Sequence, residues 1–246
     1  TNTSALSVTE MAEYSRKPEN VLGMHYFSPV PKMPLLEIVK TPHTSETALS
    51  TAYEIGIKQG KTCIVVKDGP GFYVNRILAP YLNEVMLMIE EGGEIEKLDK
   101  AMKKKGMPVG PIALMDEVGI DVGAHVMSGD ISKIVESREG VTVSTGLLKM
   151  FEAGYLGKKN KKGYYKYDGK KGKRNGANPE AYKFFGNPTK KEISYEDMTW
   201  RPLLLMINEA VMCLEEEIIS SPTDGDLGAI FGLGFLPVSY THLRAH

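Results

Sequence analysis

The stretch MHYFSPVPKMPLLE, Met24 to Glu37, carries one histidine, His25, and at its end one carboxylate, Glu37, among aromatics, aliphatics, three prolines and a single lysine. An imidazole titrates near neutral pH and moves protons there, provided that something holds its ring. A carboxylate on the far ring nitrogen does so, because it fixes the tautomer and stabilises the imidazolium formed on proton uptake. Both residues lie in strand-like text, so a turn made by Pro29, Pro31 and Pro34 would bring them together. A lone histidine in an apolar strand is otherwise a satisfied core residue, and spacing alone leaves both possibilities open.

Two further stretches offer polar partners. TNTSAL groups Asn2, Thr3 and Ser4 just before a helix expected to begin near Thr9. A serine at the carboxyl end of a strand can present its hydroxyl to a substrate oxygen; the plainer role is a helix cap. KDGPGFYVNR sets Asn75 near the start of a long helix, after a Gly-Pro-Gly turn that permits close backbone approach. The plainer alternative is a turn and a helix with Arg76 merely solvated. His43 and His125 have no partner at a suggestive spacing and read as surface or packing residues. Asp116, Glu117 and Asp121, in LMDEVGID, read as a helix end and turn rather than a paired-carboxylate site.

The elements that must position these groups follow from periodicity. VLGMHYF, LLEIVK and TCIVVKD read as three buried strands, and the text from Thr44 to Gly60 between the last two reads as a helix capped by Thr44 or Ser45. Strand–helix–strand text of this kind suits an α/β sheet with crossovers. From Val74 to Glu91 apolar residues recur at helical spacing. A second helix is expected over Glu94–Lys105, ending at Gly106, with shorter ones at Ile112–Val118, Ile131–Glu136 and Ser144–Ala153. Beyond these, GYYKY is the one strand candidate. NRILAPYLNEVMLMIEEG from Asn75 resembles WRPLLLMINEAVMCLEEE from Trp200, with Asn83-Glu84 and Asn208-Glu209 in the same register, which points to an internal duplication.

Bulk properties narrow the class. Hydrophobic residues at 42% and charged residues at 25% are ordinary for a soluble globular chain, and a net charge of −1 gives no general attraction to nucleic acid or anionic membrane. The two cysteines, Cys63 and Cys213, stand in apolar runs without CxxC spacing, against a disulfide framework or a zinc site. No metal site is expected. No apolar run is long enough to span a bilayer. The start at Thr1, inside folded-looking text, reads as that of a fragment, and LPVSYTHLRAH at the end reads as foreign sequence, so His242 and His246 are set aside.

TNTSAL, GMHYFSPVPKMPLLEIV, GKTCIVVKDGPGFYVNR and GMPVGPIALMDEVGID together resemble the L-3-hydroxyacyl-CoA dehydrogenases, over residues 1 to about 235. MHYFSPV and INEAVMCLEEEIISSPTDGDLGAIFGLGF resemble most the alpha subunits of the mitochondrial trifunctional enzyme and of the bacterial fatty-acid oxidation complex. The resemblance implies His25 as catalytic base, Glu37 as its orienting carboxylate, Ser4 and Asn75 as substrate-binding residues, and Asn2 with Ser4 toward an NAD cofactor. One departure is Ser28: monofunctional members have HFFNPV where this chain has HYFSPV, so a serine hydroxyl stands where they carry an asparagine side chain. The implied fold is α/β, the carboxyl-terminal part of a Rossmann-type NAD-binding domain over 1–72. Two repeated, mainly α helical domains would follow, at 73–168 and, truncated, at 195–235. A linker covers 169–194 and the foreign tail 236–246.

The implied activity is NAD-dependent oxidation of an L-3-hydroxyacyl-CoA in fatty-acid β-oxidation, within a subunit that also carries an enoyl-CoA hydratase. A thiolase beta subunit is the implied partner. The implied location is the mitochondrial matrix with peripheral inner-membrane association, or alternatively a bacterial cytoplasm. The sequence holds no GxGxxG, so the pyrophosphate-binding half is expected upstream and the fragment is expected to bind NAD poorly. Two alternatives belong to other classes. GKKNKKGYYKYDGKKGKR, Gly157 to Arg174, is basic and interleaved with tyrosine, as in some nucleic-acid binders, although it matches the family's GxKxxKGFYxY ending and no nucleic acid is expected as partner. Milder attraction of CoA phosphates or lipid headgroups is a variant of this. A non-catalytic helical scaffold, with the His25 site vestigial, is the other.

Overall fold

The computed structural model describes residues 1–3, 6–169 and 172–235. These fall into two compact units that do not follow chain order: Thr1–Ile77 joins the residues from Ile207 onward, and Leu78–Met206 forms the other. Ser4, Lys170, Lys171 and the tail from Leu236 lie outside the described residues.

The first unit is built on strands β1 (Gly23–Tyr26), β2 (Leu35–Lys40) and β3 (Thr62–Lys67), in that spatial order. β1 and β2 are antiparallel, β2 and β3 parallel. A parallel neighbour needs a crossover. Helix α2 (Glu46–Lys58) provides it, capped by Ser45, whose hydroxyl accepts from the Ala48 N–H. At the open edge of β1, Thr1 bonds to Leu22 and Met24; at the far edge Ile219 bridges Val66. Helix α1 (Val8–Glu13) starts where Asp68 accepts from the Thr9 N–H at 2.7 Å and from the Ser7 and Thr9 hydroxyls.

Strand β2 is buried on both faces, and its alternation sorts its residues. Leu36 and Ile38 pack with Ala52 of α2 and with Cys63. On the opposite side Leu35 and Ile64 meet helix α10 (Pro222–Leu233), where the backbone comes so close that Cβ atoms would not fit. A methyl on Gly228 would stand 2.8 Å from the Tyr73 ring and one on Gly232 2.9 Å from Leu35. GLG near the carboxyl end is thus part of a packed helix whose last turn closes on Gly234 in left-handed conformation.

The second unit holds most of α3 (Val74–Glu90), then α4 (Ile95–Lys105), α5 (Pro111–Val118), α6 (Ile120–Met127), α7 (Asp130–Glu136), α8 (Gly146–Glu152) and the start of α9 (Tyr195–Glu215). The expected helices form within one or two residues of the expected bounds. Helix α6 was not expected: the helix end and turn read at LMDEVGID are there, at Gly119 with φ 113°, but the chain enters a second helix directly after that one residue. GYYKY contributes β4 (Tyr165–Asp168), antiparallel to β5 (Lys173–Ala177). The segment 169–194 therefore contains a strand and a 3-10 helix, Pro179–Phe185, whose Phe185 is buried in the unit's core.

Two buried carboxylates fasten this unit. Asp99 accepts from the Ile112 and Ala113 N–H groups at the start of α5 and from the Tyr165 hydroxyl at 2.7 Å. Asp116 accepts from the Tyr164 and Tyr165 N–H groups and from the Tyr167 hydroxyl. Burial pushes the Asp116 carboxyl up to about 6, against the pull of those three donors. A carboxyl raised on folding favours its protonated form in the folded state, so its stabilising share is full below the unfolded value near 4 and is lost as pH rises to about 6. In paired pH-dependent denaturation, the stability of the native chain relative to Asp116→Asn, which cannot titrate, is expected to fall between about pH 4 and 6. A rising difference would contradict the assignment.

Candidate active site

The proline-rich turn does what its spacing predicts. It folds β2 back beside β1 with His25 directly opposite Glu37 in the antiparallel register, so both side chains leave the same face of the sheet. His25 Nδ1 and Glu37 Oε2 are 2.6 Å apart. The turn is fixed by Lys61, which donates to the carbonyls of Val30 and Met33, and by the Thr62 N–H, which donates to Pro34. Its strand–turn–strand geometry is thereby tied to the start of β3.

Glu37 is fully buried, and burial of a lone carboxylate is costly unless donors satisfy it. Its second oxygen, Oε1, accepts from the Tyr73 N–H at 3.2 Å and the Val74 N–H at 2.9 Å. Those are backbone donors at the start of α3, where a helix favours an anion. One carboxylate thus caps a helix with one oxygen and holds an imidazole with the other. With Glu37 accepting, Nδ1 carries the proton, which leaves Nε2 as the basic nitrogen; among the described residues Nε2 has no hydrogen-bond partner.

Two aromatic rings complete the setting. Phe27 lies 4.7 Å and Phe72 5.4 Å from the imidazole, centroid to centroid, and His25 itself is only 6% exposed. Phe72 adopts φ 51°, a left-handed conformation in the GPGFY turn that delivers the next two N–H groups to Glu37. Sequence reasoning missed Tyr73 and Val74 because their contribution is main-chain. A signal existed: GPGFY offers no Ser, Thr, Asp or Asn to cap α3, so its first N–H groups need an acceptor from elsewhere.

The other candidates are placed unevenly. Asn75 is partly exposed in the first turn of α3, one residue after Val74. Asn2 is exposed, and its side-chain oxygen accepts from the Tyr26 N–H at 3.2 Å, next to His25 in β1. Ser4 lies outside the described residues. Ser28 is exposed in the turn, and His43 and His125 are exposed as well. Arg76, far from being solvated, is buried. Among the described residues no group of three or more His, Cys, Asp or Glu could hold a metal ion. A cleft of about 460 Å³ in the second unit is lined by Asp99, Lys100, Lys103, Lys104, Tyr165 and Arg174 among others, and shares no residue with the His25–Glu37 pair. In the basic segment, Lys158 and Lys159 are engaged by Glu117 and Asp121.

Comparison with known proteins bears on the family of the chain. Residues 1–69 match the 3-hydroxyacyl-CoA dehydrogenase NAD binding domain and residues 71–167 the C-terminal domain of the same family. The fatty acid oxidation complex subunit alpha of Vibrio campbellii is 48% identical over 237 residues, which is 96% of this chain and 33% of that protein. That of Shewanella halifaxensis is likewise 48% identical, over 238 residues, again 33% of the protein. The chain thus spans about a third of the length of these relatives. Among solved structures, (S)-3-hydroxybutyryl-CoA dehydrogenase from Ralstonia eutropha is 36% identical with a TM-score of 0.63, covering 68% of this chain and 59% of that one. The dehydrogenase part of C. elegans multifunctional enzyme 1 is 28% identical with a TM-score of 0.67, covering 95% and 53%. A Rossmann-like sheet matched by an NAD-binding model, a helical domain matched by its C-terminal partner, and relatives of nearly half identity along the chain converge: this chain belongs to the 3-hydroxyacyl-CoA dehydrogenase family.

Proposed function

We propose that the chain is the dehydrogenase part of a multifunctional subunit that oxidises an L-3-hydroxyacyl-CoA to the 3-ketoacyl-CoA with NAD, in fatty-acid β-oxidation. The observation that carries this is the 2.6 Å bond between His25 and a buried Glu37 that is itself held by the start of α3. The donor set fits the catalytic end of such a site: a ring with one nitrogen fixed and the other basic, beside the first turn of a helix. NAD, when bound, supplies the acceptor for the hydride that leaves C3.

His25 Nε2 takes the proton of the 3-hydroxyl, and Glu37 stabilises the imidazolium so formed. In the reverse direction the imidazolium returns that proton to the ketone oxygen. Asn75, from α3, and Ser4 hydrogen-bond the reacting oxygens and hold them near the attack geometry. Asn2 and Ser4 are the residues that the resemblance assigns to NAD. Phe27 and Phe72 keep water from the imidazole, which strengthens its interaction with Glu37.

Relatives named as alpha subunits of a fatty acid oxidation complex support a partner chain for this one, and the sequence motifs point to a thiolase beta subunit. Because those relatives are bacterial, a bacterial cytoplasm is favoured over the mitochondrial matrix and inner membrane that MHYFSPV first implied. No helix among the described residues is long and apolar enough to cross a membrane. The matched register of Asn75–Gly92 and Trp200–Glu217 supports descent of α3 and α9 from one duplicated unit.

In the full-length protein, His25→Ala is expected to lower kcat by about 10²–10⁴-fold with the fold retained, and Glu37→Gln to lower it severely as well. Steady-state kinetics with NADH and a 3-ketoacyl-CoA measures both. Turnover within tenfold of wild type in His25→Ala would favour the non-catalytic scaffold. Glu37→Ala differs from Glu37→Gln in leaving the Tyr73 and Val74 N–H groups without an acceptor. It is therefore expected to cost about 1–3 kcal/mol more in denaturant titration; equal stability of the two variants would mean the cap contributes nothing.

A further inference from the structure

Glu37 can hold the imidazole only where Tyr73 and Val74 hold Glu37, so whatever fixes the first turn of α3 fixes the site. That turn is gripped from the carboxyl-terminal helices. Arg76, buried and two residues beyond Val74, donates from Nε to Glu209 Oε1 at 2.8 Å and from a terminal nitrogen to Glu216 Oε2 at 2.7 Å. The Tyr73 hydroxyl donates to the Gly225 carbonyl at 3.1 Å. A Cβ on Gly232 of α10 would stand 3.0 Å from the Val74 methyls, and one on Gly228 2.8 Å from the Tyr73 ring.

The same lock occurs once more, and the repeat register places it. Arg201, which aligns with Arg76, donates to Glu84 and Glu91, which align with Glu209 and Glu216; the Nε again reaches an Oε1, at 2.7 Å. The two copies differ in setting. Arg76 and Glu209 are each 3% exposed, whereas Arg201 is 35% exposed. Asn75, beside Arg76, is replaced by Trp200 beside Arg201. A buried ion pair adds little net stability, because desolvation offsets attraction, but breaking it leaves a costly lone charge. The buried copy is the one next to the helix start that holds Glu37.

We propose that Arg76 and Glu209 are positioning residues for the His25–Glu37 pair: through them, and with Glu216, the carboxyl-terminal helices hold the start of α3 in the position from which its N–H groups orient Glu37. The inference rests on the dehydrogenase reading for its kinetic consequence, though not for its structural one.

The test compares Glu209→Gln with Glu84→Gln in the full-length protein, since the two remove the same group from the two copies of the lock. Glu209→Gln is expected to lower kcat by about ten- to a hundredfold, the order that slight misplacement of a catalytic group costs, with substrate and NAD KM values within about twofold. It is also expected to speed amide hydrogen exchange in the peptide 71–80. Glu84→Gln is expected to leave kcat unchanged. Wild-type kcat or wild-type exchange at 71–80 in Glu209→Gln would overturn the proposal, and so would an equal loss of kcat in Glu84→Gln. Should Glu209→Gln fail to fold, Arg76→Met/Glu209→Met removes both charges together. That double variant is expected to fold, with exchange at 71–80 faster than wild type and kcat lowered by about ten- to a hundredfold, and a wild-type value of either would overturn the proposal. If His25→Ala keeps its turnover the dehydrogenase reading fails instead, while the exchange comparison still decides whether the lock holds α3.

Discussion

Everything in the first unit turns on one carboxylate. Glu37 is removed from water completely, a state that costs several kcal/mol for an unpaired ion. Three donors offset that cost: the imidazole of His25 and the N–H groups of Tyr73 and Val74. Since the donors come from a strand, a turn and a helix start, the carboxylate is satisfied only when all three are in place. The hydrogen bonds that make its burial tolerable are thus the same ones that orient a base.

That constraint explains features which would otherwise look unrelated. Register between β1 and β2 cannot slip by one residue, because a slip would send Glu37 and His25 to opposite faces. Lys61 reaches across to hold the proline turn, which keeps the register. Phe72 tolerates a left-handed backbone, a conformation strained for an aromatic residue, because the next two N–H groups must face Glu37. Helix α10 lies against Tyr73 through Gly228, where a Cβ would stand 2.8 Å from the ring.

Much of this was legible from the sequence, and the exceptions share a cause. Side chains announce themselves: His25 and Glu37 stand out as titratable groups in apolar text, and the prolines between them imply the turn that pairs them. The α2 crossover and the long α3 show in their caps and periodicity. Backbone donors have no letter of their own, so the role of Tyr73 and Val74 was visible only as a helix start lacking a cap. β5, whose Lys173–Gly176 are all exposed, has no apolar alternation to reveal it. Arg76 looked solvated because its partner Glu209 lies 133 residues further along the chain; the repeat showed that the two glutamates correspond, but not that each is held by the arginine of the other copy.

The central claim is that Glu37 sets the tautomer of His25 so that Nε2 is the base. The ¹⁵N chemical shifts of the His25 ring, measured in the folded protein above the pH at which the imidazole titrates, report this directly. The account predicts a protonated Nδ1 and a bare Nε2. A proton on Nε2 with Nδ1 bare would contradict it, because the nitrogen left to take a proton would then be the one facing Glu37.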